Sequence, residues 1–124
     1  MKLLKLLNHA LTESQEKELK EVWGVTEIVT LSPENIKAFG QITKDSYHDV
    51  INSINAEINA EIEQSKPDLM FIQGQAGVVH NVINANPNIT PLFAMTERKS
   101  IETQNPDGTV TKTAVFEHHC FMKY

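Results

Sequence analysis

Three short polar clusters in this 124-residue chain combine residue types that do chemistry on phosphates and sugars. Asn8-His9 follows an apolar run, and an imidazole titrating near neutral pH serves as a general acid or base, or donates to a phosphate or sugar oxygen. Gln73-Gly74-Gln75-Ala76-Gly77 separates the apolar run Leu69–Ile72 from Val78-Val79 and Val82-Ile83, the pattern of a strand, a glycine loop and a helix. Glycines let the backbone approach a ligand, and the first helical turn offers unpaired N–H groups with partial positive charge, a cradle for an anion. The loop lacks the Gly-x-Gly-x-x-Gly spacing and a Walker lysine, so it points to neither a dinucleotide cofactor nor ATP. Its alternative is an ordinary tight turn. Arg98 offers a planar fork for phosphate and Lys99 a point charge, flanked by the hydroxyls of Thr96 and Ser100.

Other reactive residues form no comparable cluster. His118-His119-Cys120, His48 and His80 lack metal-ligand spacing, and adjacent strand residues point to opposite faces, so no metal is expected. There is no Gly-x-Ser-x-Gly elbow, and Cys120 lies in a β-rich tail with no activating neighbour in sequence. A lone cysteine fits a reducing cytoplasm. A net charge of −5 argues against coating long nucleic acid, while a small anion needs only a local basic cluster. Lys5 interrupts the N-terminal apolar run, which therefore reads as a strand rather than a signal segment, and no stretch approaches the ~20 apolar residues of a membrane span.

Topology decides whether the clusters meet. Leu3 to Leu7 reads as a doubly covered strand, and Thr12 with Gln15 has capping-box spacing for a helix that stops at Gly24. Glu27–Leu31 reads as a second strand, and Ser32-Pro33 starts a helix ending at Gly40. Ile51, Ile54, Ile58 and Ile62 mark the longest helix, Tyr47–Gln64. Leu69–Ile72 is the third strand, the helix after the glycine loop stops near Pro87, and Ile89–Met95 is the fourth strand. Ser100–Gln104 and Thr109–Phe116 form a hairpin around Asn105-Pro106-Asp107-Gly108. The expectation is one α/β domain over residues 1–124: a Rossmann-like open parallel sheet in the order 2-1-3-4, flanked by helices, with a C-terminal antiparallel β-hairpin. That order opens a crevice at the strand ends, where Asn8-His9, Gln73–Gly77 and Thr96–Lys99 converge.

The chain also resembles a known family. Asn8-His9 before Leu11-Thr12-Glu13, Gln73-Gly74-x-x-Gly77, Thr96-x-Arg98-x-Ser100, and the tail Val115-Phe116-x-His118-x-x-Phe121-x-x-Tyr124 are together similar to the small stand-alone ring nucleases of type III CRISPR systems, relatives of the CRISPR-associated Rossmann-fold sensor domains. The resemblance implies a homodimer that binds cyclic tetra-adenylate across its two-fold axis and cleaves it to linear adenylates. Attack by a ribose 2′-hydroxyl on its own phosphodiester needs alignment and positive charge rather than a metal or cofactor. The expected catalytic residues are His9, Arg98 and Lys99. Asn8, Gln73, Gly74, Gln75, Ala76, Gly77, Thr96 and Ser100 are the expected ligand-binding residues. Binding without cleavage, and an adaptor domain whose glycine loop is only a turn, are the alternatives.

Overall fold

The computed structural model describes residues 1–124, arranged as a mixed five-stranded sheet flanked by four helices. In chain order the elements are β1 (Lys2–Lys5), α1 (Glu13–Glu21), β2 (Glu27–Thr30), α2 (Pro33–Gly40), α3 (Tyr47–Gln64), β3 (Leu69–Phe71), α4 (Ala76–Ala85), β4 (Thr90–Gln104) and β5 (Val110–Lys123). The sheet order is β2-β1-β3-β4-β5, with parallel pairing through β4 and antiparallel pairing of β4 with β5. No helix is long and apolar enough to cross a membrane.

The local signals act as their chemistry requires. Thr12 and Gln15 form a full capping box at α1, and Gly24 takes the left-handed conformation (φ +70°) just beyond it. Ser32 accepts from Asn35 N–H at the start of α2 while its own N–H and hydroxyl donate to Glu57 of α3 at 2.8 and 2.7 Å. Asn35 adds a third bond to that carboxylate, 2.7 Å from its Nδ2, and so α2 is tied to α3 at its first turn. Twenty-three buried apolar residues form one core cluster, with Leu3, Leu4, Met70, Ile72, Val78, Val82 and Leu92 at its centre. Ile51, Ile54 and Ile58 reach it, whereas Ile62, the last of the stripe, is exposed.

The C-terminal region departs from the expected strand bounds. The fourth strand and the first hairpin arm are one 15-residue strand, β4, and β5 runs on through the tail to Lys123. Of β4, only Thr90, Pro91 and Leu92 pair with β3. Beyond them β4 and β5 form a two-stranded ribbon, so Thr96–Lys99 lies within a strand rather than at a strand end. The polar run Thr-Glu-Arg-Lys-Ser hides this because both ribbon faces are solvated there, which removes the apolar alternation that marks a half-buried strand.

Candidate functional site

A cleft of about 830 Å³ opens at the C-terminal ends of β1 and β3 and beside β4. Asn8 and His9 line it after β1, Gln73, Gly74 and Gln75 after β3, and Thr96 from β4. Six of the expected residues thus meet on one surface for the topological reason given above. Thr12 and Gln15 at the α1 N-terminus add polar groups, and Phe39, Phe71 and Ala94 supply apolar ones.

The glycine loop owes its shape to packing. A Cβ on Gly74 would lie 2.5 Å from Phe39 Cε1, and one on Gly77 would lie 2.5 Å from Tyr47 Oη. Both glycines therefore admit aromatic rings from α2 and α3. Gln73 closes a two-point clasp with Ala94: its Oε1 accepts from Ala94 N–H at 3.2 Å and its Nε2 donates to Ala94 C=O at 3.4 Å. Side-chain bonds here continue the β3–β4 ladder after the strand has ended. Gln75 Oε1 accepts from Val78 N–H at 2.8 Å and caps α4. The N–H groups of Gly74, Gln75, Ala76 and Gly77 find no hydrogen-bond partner in the chain. The first turn of α4 holds no acidic residue, whereas that of α1 holds Glu13 and Glu16, so α4 presents the N-terminus suited to an anion.

The ribbon divides its candidates between two faces. Arg98 pairs with Phe116 and Ser100 with Ala114 on the face that carries Thr96, while Lys99 pairs with Val115 on the other. Neither Arg98 nor Ser100 lines the cleft, and Arg98 lies roughly 7 Å along the strand from Thr96. Arg98 has no ion pair, but Lys99 Nζ is 2.8 Å from Glu117 Oε2. The hydrogen bond and charge of Glu117, with Glu97 behind it, raise the Lys99 pKa, so Lys99 is a charged and already neutralised group.

Behind the cleft, Glu18 of α1 holds the root of the ribbon. Its Oε2 accepts from Phe121 N–H at 2.8 Å and from Trp23 Nε1–H at 3.0 Å, and its Oε1 lies 2.7 Å from His118 Nε2. Burial pushes the Glu18 pKa up, but the bonds from Phe121, Trp23 and His118 together prevail and hold it below the usual carboxylate range. A register shift between Met95 and Thr96 leaves His119 outside the ladder, and His118 and Phe121 then pack against each other, with ring centroids 4.8 Å apart. His118 is buried and His119 exposed; no group of histidine, cysteine and carboxylate side chains is placed to hold a metal. Tyr124 donates its hydroxyl to the carbonyl of Ile72, immediately before the loop.

Sequence reasoning missed two cations. A second cavity, of about 410 Å³, shares Leu7, Asn8, Ile36 and Gly40 with the cleft and is lined by Lys5 and Lys37. Lys5 reads in sequence as one interruption of an apolar strand, and Lys37 as one polar position on a short helix. Only the fold brings them together.

The chain belongs to the Uncharacterized protein MJ1673 family, whose sequence pattern matches residues 1–122 and so spans every element that lines the cleft. The match carries no link to the ring nucleases that the four motifs resemble. No curated protein and no solved structure matches the chain.

Proposed function

We propose that this member of the MJ1673 family is a ring nuclease: as a homodimer with two clefts facing across a two-fold axis, it binds cyclic tetra-adenylate and cleaves it to linear adenylates. The observation that carries this reading is the meeting of His9 and Asn8 with Gly74 and Gln75, whose N–H groups are unpartnered, around a single cleft that Ala76 and Gly77 do not line. Those N–H groups suit a phosphodiester oxygen, and the apolar wall of Phe39, Phe71 and Ala94 suits a base or sugar. A symmetric ring matches a symmetric dimer, which doubles each group without making the chain basic.

The chemistry asks little of the protein beyond alignment. A ribose 2′-hydroxyl attacks the adjacent phosphorus and loses its proton to solvent as the O2′–P bond forms, the P–O5′ bond breaks, and the products are a 2′,3′-cyclic phosphate and a 5′-hydroxyl. His9 gives its proton to the departing 5′-oxygen, and the loop N–H groups stabilise the charge that grows on the phosphorane. Arg98, unpaired on the ribbon face of Thr96, lies outside the cleft lining and is the ribbon cation left free to meet a bound ring. Lys99 has no part in this scheme because Glu117 already holds it.

Purified protein incubated with cyclic tetra-adenylate, with and without EDTA, tests the proposal by chromatography of the products and a parallel binding titration. Linear adenylates ending in a cyclic phosphate, formed equally in EDTA, are expected. Binding without products reduces the assignment to a cyclic-oligoadenylate buffer or sensor, and no binding removes it.

A further inference from the structure

The large cleft that suits a nucleoside contains no lysine, arginine, aspartate or glutamate in its lining, so it lacks the charge that a polyanion needs close at hand. The smaller cavity beside it has the opposite character. Lys5 and Lys37 line it with Thr30, Asn8 and Gln41, and no acidic residue is present, in a chain of sixteen acidic and eleven basic side chains. Neither lysine forms an ion pair, although Lys2, Lys99 and Lys112 each find a glutamate. Lys5 is also half-buried. An ammonium group in that position, with water partly withdrawn and no carboxylate in ion-pair contact, gains from an anion supplied from outside.

Position adds a second argument. Lys5 ends β1 and Thr30 ends β2, so the cavity lies at the C-terminal edge of the parallel sheet, where open α/β sheets receive ligands. Asn8 lines both cavities and stands at their join. A molecule with a flat, weakly polar part and an anionic part fits the pair, the first in the large cleft and the second between the lysines.

We infer that Lys5 and Lys37 form a phosphate-binding subsite that receives a phosphoryl group of the nucleotide held in the adjoining cleft. The subsite itself stands on the lining of its cavity; only the identity of the nucleotide rests on the adenylate reading proposed above. Lys5 and Lys37 are then binding residues, and they supply positive charge in a cavity that adjoins the cleft, which Arg98 and Lys99 do not line.

The experiment keeps the two claims apart. Inorganic pyrophosphate is titrated into the intact protein while the lysine side-chain NMR signals are followed, and adenosine, 5′-AMP and cyclic tetra-adenylate are then titrated in turn. Saturable shifts at Lys5 and Lys37, with Lys112 unmoved, are expected. Lys37→Gln, a change on an exposed helix position that leaves the core intact, is expected to weaken pyrophosphate and AMP by about tenfold or more while Lys112→Gln matches the parent. Shifts spread evenly over all lysines, no shifts, or parental affinity in Lys37→Gln each overturn the subsite. Pyrophosphate captured at Lys5 and Lys37 with no adenylate bound upholds the subsite and removes the adenylate reading instead.

Discussion

His9 and Glu18 show how differently two polar residues are used. His9 is exposed on the cleft wall with no hydrogen bond to the rest of the chain, and a group free to rotate toward a ligand is what proton transfer to a leaving oxygen requires. His9→Ala is therefore expected to slow single-turnover cleavage by ~10²–10⁴-fold even at saturating enzyme, because a lost acid acts on the chemical step rather than on occupancy. A single-turnover rate within a few-fold of the parent would take His9 out of that role. Glu18 is the reverse case, three-quarters buried or more and fully engaged. Glu18→Ala strands the Trp23 and Phe121 N–H groups and His118 together, and a loss of about 3 kcal/mol of stability is expected in a denaturant melt. Since the folded pKa of Glu18 lies below its unfolded value, its contribution is complete above the unfolded value and drains away as pH falls through the folded one. Thermal stability should thus hold from neutral pH down to about pH 5 and fall below about pH 4, and Glu18→Gln should flatten that fall.

At the scale of elements, the glycine loop is a joint between three helices. Glu57 of α3 fixes the start of α2, α2 presents Phe39, and Phe39 fills the space where a Cβ of Gly74 would stand. Gly74→Ala must push that ring aside. A destabilisation of about 1–3 kcal/mol is expected, and Phe39→Leu in the same chain should recover part of it; equal losses in the single and double variants would show that the two positions do not communicate. The strand, loop and helix of this joint were legible in the sequence because each carries its own signal: a buried run at Leu69–Ile72, a pair of glycines, and a helical apolar stripe from Val78. The same is true of Ser32-Pro33 and of Tyr47–Gln64, whose bounds match the helix found. What local pattern could not supply is pairing across distance. Lys99 meets Glu117, Glu18 meets His118 a hundred residues away, and Lys5 meets Lys37 around a cavity, and nothing at either position of each pair announces the other. The β4–β5 ribbon escaped for a related reason, since a strand solvated on both faces has no apolar alternation to betray it.

At the scale of the whole molecule, that ribbon is the part least explained by a single copy. β4 loses its β3 neighbour after Leu92, and no helix packs on the ribbon beyond the Glu18 anchor near its root. Phe116 is 68% exposed, Val110 52% and Ile101 50%, on a two-stranded hairpin of a kind that is marginal alone in water. Its turn is well made, with Asn105 Nδ2 donating to Thr109 and Thr111 and Asp107 accepting from Thr109, but a good turn fixes register without burying apolar surface. A second copy of the chain packed on the ribbon would bury this surface and is what the proposed two-fold site also requires, so the ribbon is the element expected to carry the dimer contact. Light scattering is then expected to give twice the 14.0 kDa of one chain. Joint Phe116→Asp and Ile101→Asp substitutions should return the mass to that of one chain without moving the thermal melt of the parallel sheet, since neither side chain belongs to the buried core. A double variant that stays dimeric places the contact elsewhere on the surface, and a parent that is strictly monomeric at micromolar concentration, with or without cyclic tetra-adenylate, removes the shared site altogether.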